Sequence, residues 1–213
     1  MPRGNALWYN EGVQRPPFFM SILWKTTRRF EDSLLEDCKD YMRTFPKKKG
    51  EFSTTYYTSE GLSGTAMEEP LLKFYDKLIA DCTKDLGLHH VSGYGVVMWM
   101  QMYDHTTTGH TIHSHFAGQE CISWVHFLDT PEQKCFFFID SYGGKHYPEH
   151  QKSGDFIVFP SWALHGVDKV EEPGDRTVIA GNVYLKRYSY DGLDLGSTSF
   201  ENTVLWVKKS DAN

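Results

Sequence analysis

From Val96 onward the chain is a succession of short apolar or alternating runs: Val96–Tyr103, Ile122–Leu128, Cys135–Ile139, Asp155–Phe159, Thr177–Leu185 and Thr203–Lys208. Each is strand-sized. Turn-forming residues separate them: Thr108-Gly109, Asp129-Thr130-Pro131, Gly143-Gly144, Gly154 and Pro173-Gly174-Asp175. Glycine tolerates backbone conformations closed to other residues and proline presets a turn, so such clusters end strands. Many short strands with turn signals predict an all-β sandwich or barrel.

The half before it reads differently. Residues 1–16 are polar and end at Pro16-Pro17, which predicts a surface arm, and Phe18–Trp24 reads as a short strand. From about Arg29 to Phe45 the apolar residues Phe30, Leu34, Leu35, Cys38, Tyr41, Met42 and Phe45 recur in steps of three and four. That spacing puts them on one stripe of a helix. A second helix is predicted from Glu68 to Leu86. Thr65 and Glu68 have capping-box spacing, Pro70 sits in the first turn, and Gly87 ends it. The chain therefore reads as a single domain over 1–213: an arm at 1–16, a helical flank at 17–90, and a core of roughly eight strands at 91–213.

Composition removes several function classes. Lys and Arg number 22 against 28 Asp and Glu, giving a net charge of −6. An acidic balance disfavours a nucleic-acid footprint and a polybasic membrane anchor. No apolar run approaches the roughly 20 residues of a membrane helix. The first residues, MPRGNALWYNEG, lack the apolar core of a secretory signal. Cys38, Cys82, Cys121 and Cys135 are scattered with no CxxC pair, as expected of reduced core thiols in a cytoplasmic protein.

Histidine, at 10 residues, is abundant. In GHTIHSH, residues 109–115, His113 and His115 are two apart, so an extended chain points both imidazoles to the same side. His165 follows a further strand and turn in GDFIVFPSWALHGV, residues 154–167. A mononuclear metal that keeps open positions needs three ligands on one face. Arg176 then enters the strand Thr177–Leu185; inside a barrel its planar fork would match a carboxylate. On the surface it would pair instead with Glu171, Glu172 or Asp175. His89-His90 reads as a helix-end pair, and the remaining histidines as surface or loop residues.

The stretches GHTIHSHFAGQECISWVHFLDTP and GDFIVFPSWALHGVDKVEEPGDRTVIAGNVY resemble the core of the Fe(II)/2-oxoglutarate-dependent dioxygenases, most of all small oxygenases of marine bacteria and their phages. The shared pattern is a two-histidine segment, an S-x-x-H-F-L strand, GD-x-x-x-FPS-x-x-x-H-x-V, and R-x-x-x-x-x-N. It covers roughly residues 94–185. The resemblance implies a double-stranded β-helix, or jelly-roll, core with two helices packed outside it. It implies Fe(II) on His113, a second ligand two residues on, and His165. It implies that Arg176 holds the distal carboxylate of 2-oxoglutarate. The reaction implied uses O2, releases succinate and CO2, and hydroxylates an unactivated C–H bond.

Two departures from that family stand out. The second ligand is usually a carboxylate, and position 115 is His. His115 itself, Glu120 or water can fill the place, and His115 is preferred. A serine commonly follows two residues after the arginine, and here that residue is Val178. Tyr103 is a candidate to supply the missing hydroxyl. A different metalloenzyme of the cupin type, an isomerase or a dioxygenase working without 2-oxoglutarate, would use His113, His115, Glu120 and His165. Phe137, Tyr142, Trp124 and Trp162 read as core residues, with Trp162 the best substrate contact by its closeness to His165. The arm at 1–16 and the segments Glu51–Gly64 and Ser141–Ser153 are candidates to choose the substrate, the last as a lid. A small molecule, an amino acid or a peptide is the expected partner, and nucleic acid or membrane is not.

Overall fold

A computed structural model describes residues 22–45, 47, 50–56, 66–87, 93–115, 120–171, 174–185 and 204–208, with 93–95, 120, 121, 184, 185 and 204–208 described by backbone alone. In chain order the elements are β1 (Trp24–Thr27), α1 (Asp32–Arg43), β2 (Ser53–Thr54), α2 (Glu68–Asp85), β3 (Gly93–Tyr103), β4 (His110–His113), β5 (Glu120–Asp129), β6 (Phe136–Ile139), β7 (Lys145–His146), β8 (Asp155–Pro160), β9 (His165–Val167), β10 (Arg176–Leu185) and β11 (Val204–Lys208). The strands make two sheets. One runs β1-β8-β5-β10-β3-β11 with β2 beside β3; the other runs β4-β9-β6-β7. Every ladder is antiparallel.

The chain order shows how the sheets are wound. β3, β5, β8 and β10 lie in the large sheet, while β4, β6 and β9 lie in the small one. The chain thus crosses from sheet to sheet as it advances, which is the winding of a jelly roll. The strand-by-strand alternation of side chains then gives the large sheet two working faces. Met98, Met100, Trp124, Phe156 and Ile179 face outward and pack with Cys38, Met42, Leu71, Tyr75 and Ile79 of the helices. Trp99, Tyr103, Phe127, Phe159 and Val178 face inward and pack against Phe136, Phe138 and Val167 of the small sheet. Each of these large apolar side chains stabilises the fold by roughly 1.5–3 kcal/mol when fully buried.

The helices follow the predicted stripes with trimmed ends. α1 starts at Asp32 rather than Arg29 and stops at Arg43. Arg28 and Arg29 lie instead against the β8 side, where the Arg28 amide donates to the Gly154 carbonyl at 2.7 Å. α2 keeps its predicted start, with Met67 as its N-cap and no side-chain cap bond; Thr65 lies outside the described residues. The first strand is Trp24–Thr27 rather than Phe18–Trp24, because pairing of Trp24 with Val158 through Thr27 with Asp155 sets its register. Residues 1–16 and His89-His90 also lie outside the described residues. Cys38, Cys82 and Cys135 are buried, in keeping with the expected core positions, and burial pushes the Cys38 thiol up to about 12.

The segment Ser141–Ser153, expected as a lid, is tied down. Asp140 accepts from the Tyr142 and Gly144 amides, both at 2.8 Å, and closes a tight β6–β7 turn. The buried Gln151 accepts from the Cys135 and Phe136 amides and donates to the Phe136 and Pro148 carbonyls. Three of these bonds, to Cys135 and Phe136, hold the segment against the start of β6, and the fourth, to Pro148, closes the segment on itself.

Candidate metal and cosubstrate site

The inner faces of the two sheets enclose a cavity of about 670 Å³, part of it open to solvent. It is lined by Trp99, Gln101 and Tyr103 of β3, by Arg176, Val178 and Ala180 of β10, and by His110, His113, His115 and His165. Among the described lining residues Arg176 is the one lysine or arginine, and none is a carboxylate.

The small sheet assembles the histidines. His113 and His165 are direct partners across the β4–β9 ladder. The His115 amide donates to the Ser161 carbonyl at 2.8 Å, which carries the third ring to the same place. Ring centroids stand 4.3 Å apart for His113–His165, and 5.1 Å for His113–His115 and His115–His165. One nitrogen from each ring can lie within 4.8 Å of the others, which suits a single ion. This is the trio predicted from spacing. The Glu120 side chain, the competing ligand, lies outside the described residues.

Hydrogen bonds at the far side of two rings define how they can bind. His113 Nδ1 and His165 Nδ1 each lie 2.8 Å from a carbonyl, that of Thr111 and of Ala163. A carbonyl only accepts, so in the neutral rings Nδ1 carries the proton and Nε2 presents a lone pair. Such outer hydrogen bonds are what orient metal-binding imidazoles. Burial lowers the pKa of all three, with crowding by neighbouring imidazoles adding to it for His115 and His165; His115 falls to about 4. The rings are therefore neutral at pH 7, the state a metal needs.

Arg176 lies at the other end of the cavity and is 2% exposed. Arg176 makes no ion pair with Glu171 or Asp175; Glu172 lies outside the described residues. Its guanidinium sits 5.0 Å from the Tyr103 ring centroid and 5.4 Å from that of Phe127, and Nη1 has no hydrogen-bond partner among the described residues. Burial pulls its pKa down. A buried cation without an anion is expensive to maintain, and the cavity is where an anion would reach it. Tyr103 is its register partner on β3. The Tyr103 hydroxyl donates to Gln101 Oε1 at 3.0 Å and lies 3.3 Å from His110 Nδ1. Val178 lines the cavity as an apolar wall, so no hydroxyl comes from that position.

Several sequence readings need correction. His110 is no loop residue: it lines the cavity 4.2 Å, ring to ring, from His113, and burial lowers its pKa to about 3. Strict alternation from His113 would have turned it away, but the β4 ladder is irregular between His110 and His113. His126 is a core histidine, bonded to the Tyr75 hydroxyl and the Arg28 carbonyl at 2.7 Å each. Trp162 is 49% exposed and lines no part of the cavity. Trp124 is buried against Tyr75 as predicted, whereas Tyr142 is exposed. Ser123 and Asn182 stand in the quoted family motifs but carry no assigned role there, and Gln101 stands in none; β10 alternation places Asn182 on the same face as Arg176.

No protein-family model and no curated protein sequence matches the chain. Solved structures do. A prolyl-4-hydroxylase from Pseudomonas putida aligns with a TM-score of 0.55 at 14% identity, over 77% of this chain and 92% of the other. A prolyl hydroxylase from Trichoplax adhaerens, in complex with a hypoxia inducible factor peptide fragment, gives 0.54 at 13% identity, over 76% and 82%. An oxidoreductase of the 2OG-Fe(II) oxygenase family from Burkholderia pseudomallei gives 0.53 at 15% identity, over 73% and 79%. The chain thus has the jelly-roll fold of the solved 2OG-Fe(II) oxygenases.

Proposed function

We propose that the protein is an Fe(II)- and 2-oxoglutarate-dependent oxygenase that hydroxylates a C–H bond of a small molecule, amino acid or peptide. The observation that carries this reading is the pairing, in one cavity, of three clustered neutral imidazoles with a buried guanidinium that has no carboxylate among the described lining residues and whose Nη1 has no hydrogen-bond partner among the described residues. His113, His115 and His165 would hold the metal. Arg176 would take the distal carboxylate of 2-oxoglutarate, with the Tyr103 hydroxyl and Gln101 beside it. The bound metal would supply the activation of O2, coupled to the conversion of 2-oxoglutarate to succinate and CO2.

The chain's own contribution is placement. The carbonyls of Thr111 and Ala163 hold the Nδ1 protons of His113 and His165 and so aim their Nε2 lone pairs. Trp99 stacks on His115 at 5.4 Å and, with Phe136 and Phe159, walls the metal side of the cavity with apolar surface. Excluding water there strengthens every charge interaction with the cosubstrate. Tyr56 stands edge-on to Trp99 at the exposed rim, where substrate would enter. The cupin alternative gives a buried guanidinium nothing to bind, and its fourth ligand is Glu120.

The test is turnover. Purified protein supplied with Fe(II), O2 and 2-oxoglutarate should convert the last to succinate, and His165→Ala and Arg176→Met should each abolish conversion. Metal-dependent activity on other substrates that survives Arg176→Met, with no succinate formed by the wild type, would favour the cupin chemistry.

A further inference from the structure

Asn182 and Ser123 are register partners on β10 and β5, 4% and 1% exposed, on the cavity side of the large sheet. The Ser123 hydroxyl donates to Asn182 Oδ1 at 2.7 Å, and Asn182 Nδ2 lies 3.3 Å from His115 Nδ1. With the amide nitrogen toward the ring, His115 Nδ1 accepts, and the neutral ring then carries its proton on Nε2. This is the reverse of His113 and His165, whose Nδ1 protons face carbonyl oxygens. Two rings present Nε2 lone pairs, and the third presents an N–H.

The contradiction has a local solution. A hydroxyl can donate or accept, and an amide presents either end to its neighbours. If the Asn182 amide turns over, Nδ2 donates to Ser123 Oγ and Oδ1 accepts a proton from His115 Nδ1. The imidazole proton has then moved to Nδ1, and Nε2 is free to ligate. Both arrangements keep the two hydrogen bonds that link the three side chains, so the unit has two states with the same mutual bonding. Trp99, stacked at 28° on the His115 ring, holds its plane in either.

We infer that Asn182, seated on Ser123, is a positioning residue whose amide orientation selects the His115 tautomer and so admits or withholds the third metal ligand. The inference rests on the reading of His113, His115 and His165 as a metal face. Metal binding selects the turned amide. Without metal the amide N–H faces His115.

Zn(II), which is diamagnetic, is the probe. Ring 15N NMR of the full chain should show His115 protonated on Nε2 without metal and on Nδ1 with Zn(II). His113 and His165 should be protonated on Nδ1 in both. Asn182→Asp fixes an acceptor against Nδ1 and should tighten Zn(II) binding about tenfold, measured by chelator competition. Asn182→Leu should weaken it about 10–100-fold. Ser123→Ala, which keeps the amide but not its seat, should weaken it several-fold and guards against misfolding of the leucine variant. A His115 ring already protonated on Nδ1 without metal, or Zn(II) affinity unchanged in the folded Asn182 and Ser123 variants, overturns the inference. Zn(II) that moves the His113 and His165 signals but not that of His115 also overturns it and leaves the metal face as a pair. Zn(II) that moves none of the three overturns the metal reading itself.

Discussion

Consider Arg176→Met. In the native cavity the guanidinium is 2% exposed, flanked by the Tyr103 and Phe127 rings, and Nη1 has no partner. Methionine fills similar volume without the charge. Replacing buried ionic groups by apolar side chains of matching size commonly stabilises a fold by about 1–4 kcal/mol. In a domain of this size each kcal/mol moves Tm by about 2–4 °C. The variant should therefore melt higher than wild type when neither carries ligand. Binding should move the other way. Two charge-assisted bonds to a carboxylate, at about 1.5–3 kcal/mol each, are lost. At about 1.4 kcal/mol per tenfold, 2-oxoglutarate should bind at least about a hundredfold more weakly. Thermal melts with Zn(II), with and without 2-oxoglutarate, read both effects. At a hundred times its wild-type Kd the cosubstrate should stabilise wild type by about 2.7 kcal/mol and the variant by no more than about 0.4 kcal/mol. A ligand-free variant that melts lower than wild type, or one that 2-oxoglutarate stabilises as much as wild type, refutes the assignment of Arg176 as an anchor kept for an incoming anion.

Other perturbations test other parts of the account. A Cβ at position 181 would stand 2.4 Å from Trp124 Cζ2 and 2.5 Å from the Val97 carbonyl oxygen. Gly181→Ala should therefore lower stability by about 1–3 kcal/mol through overpacking, seen as a lower denaturation midpoint. Burial holds His126 near 4, against about 6.5 for a free imidazole. The unfolded chain thus takes up a proton there first, and stability is lost as pH falls from about 6.5 to 4. Comparing urea titrations of wild type and His126→Gln across that window should show a contribution of about 3 kcal/mol at full development. His115, held near 4, and His165, which burial pushes well below the ordinary imidazole value, remain neutral below pH 6. Zn(II) affinity by chelator competition should thus change little between pH 7.5 and 6, and fall steeply below about 5 as the ligands protonate. An affinity already lost by pH 6 would mean that the imidazoles are exposed.

What could be read in the sequence was local in origin. Period-two alternation put His113 and His115 on one side, and the turn before His165 and the strand beginning at Arg176 marked the other two groups. The helical stripes of α1 and α2 were equally legible, because each is set by spacing within one element. What escaped depends on pairing between distant strands. The irregularity in the β4–β9 ladder brings His110 inward, against simple alternation. Asn182 closes the R-x-x-x-x-x-N motif, but its role is hidden until the β5–β10 register sets it beside Ser123. Closeness in sequence misled for Trp162: it sits three residues from His165 but ahead of β9, where the chain still turns over the surface. The length of Ser141–Ser153 suggested a lid, and nothing in its composition reveals that Gln151 bonds it to β6.

The central claim is that one cavity holds a metal on three imidazoles and a dicarboxylate on Arg176. Anaerobic calorimetric titration of 2-oxoglutarate into protein carrying Fe(II), and into metal-free protein, tests it most directly. The account predicts one 2-oxoglutarate per chain, bound tightly only with Fe(II) present, and bound by neither His165→Ala nor Arg176→Met. Equal binding with and without Fe(II), or binding that survives loss of Arg176, would contradict it.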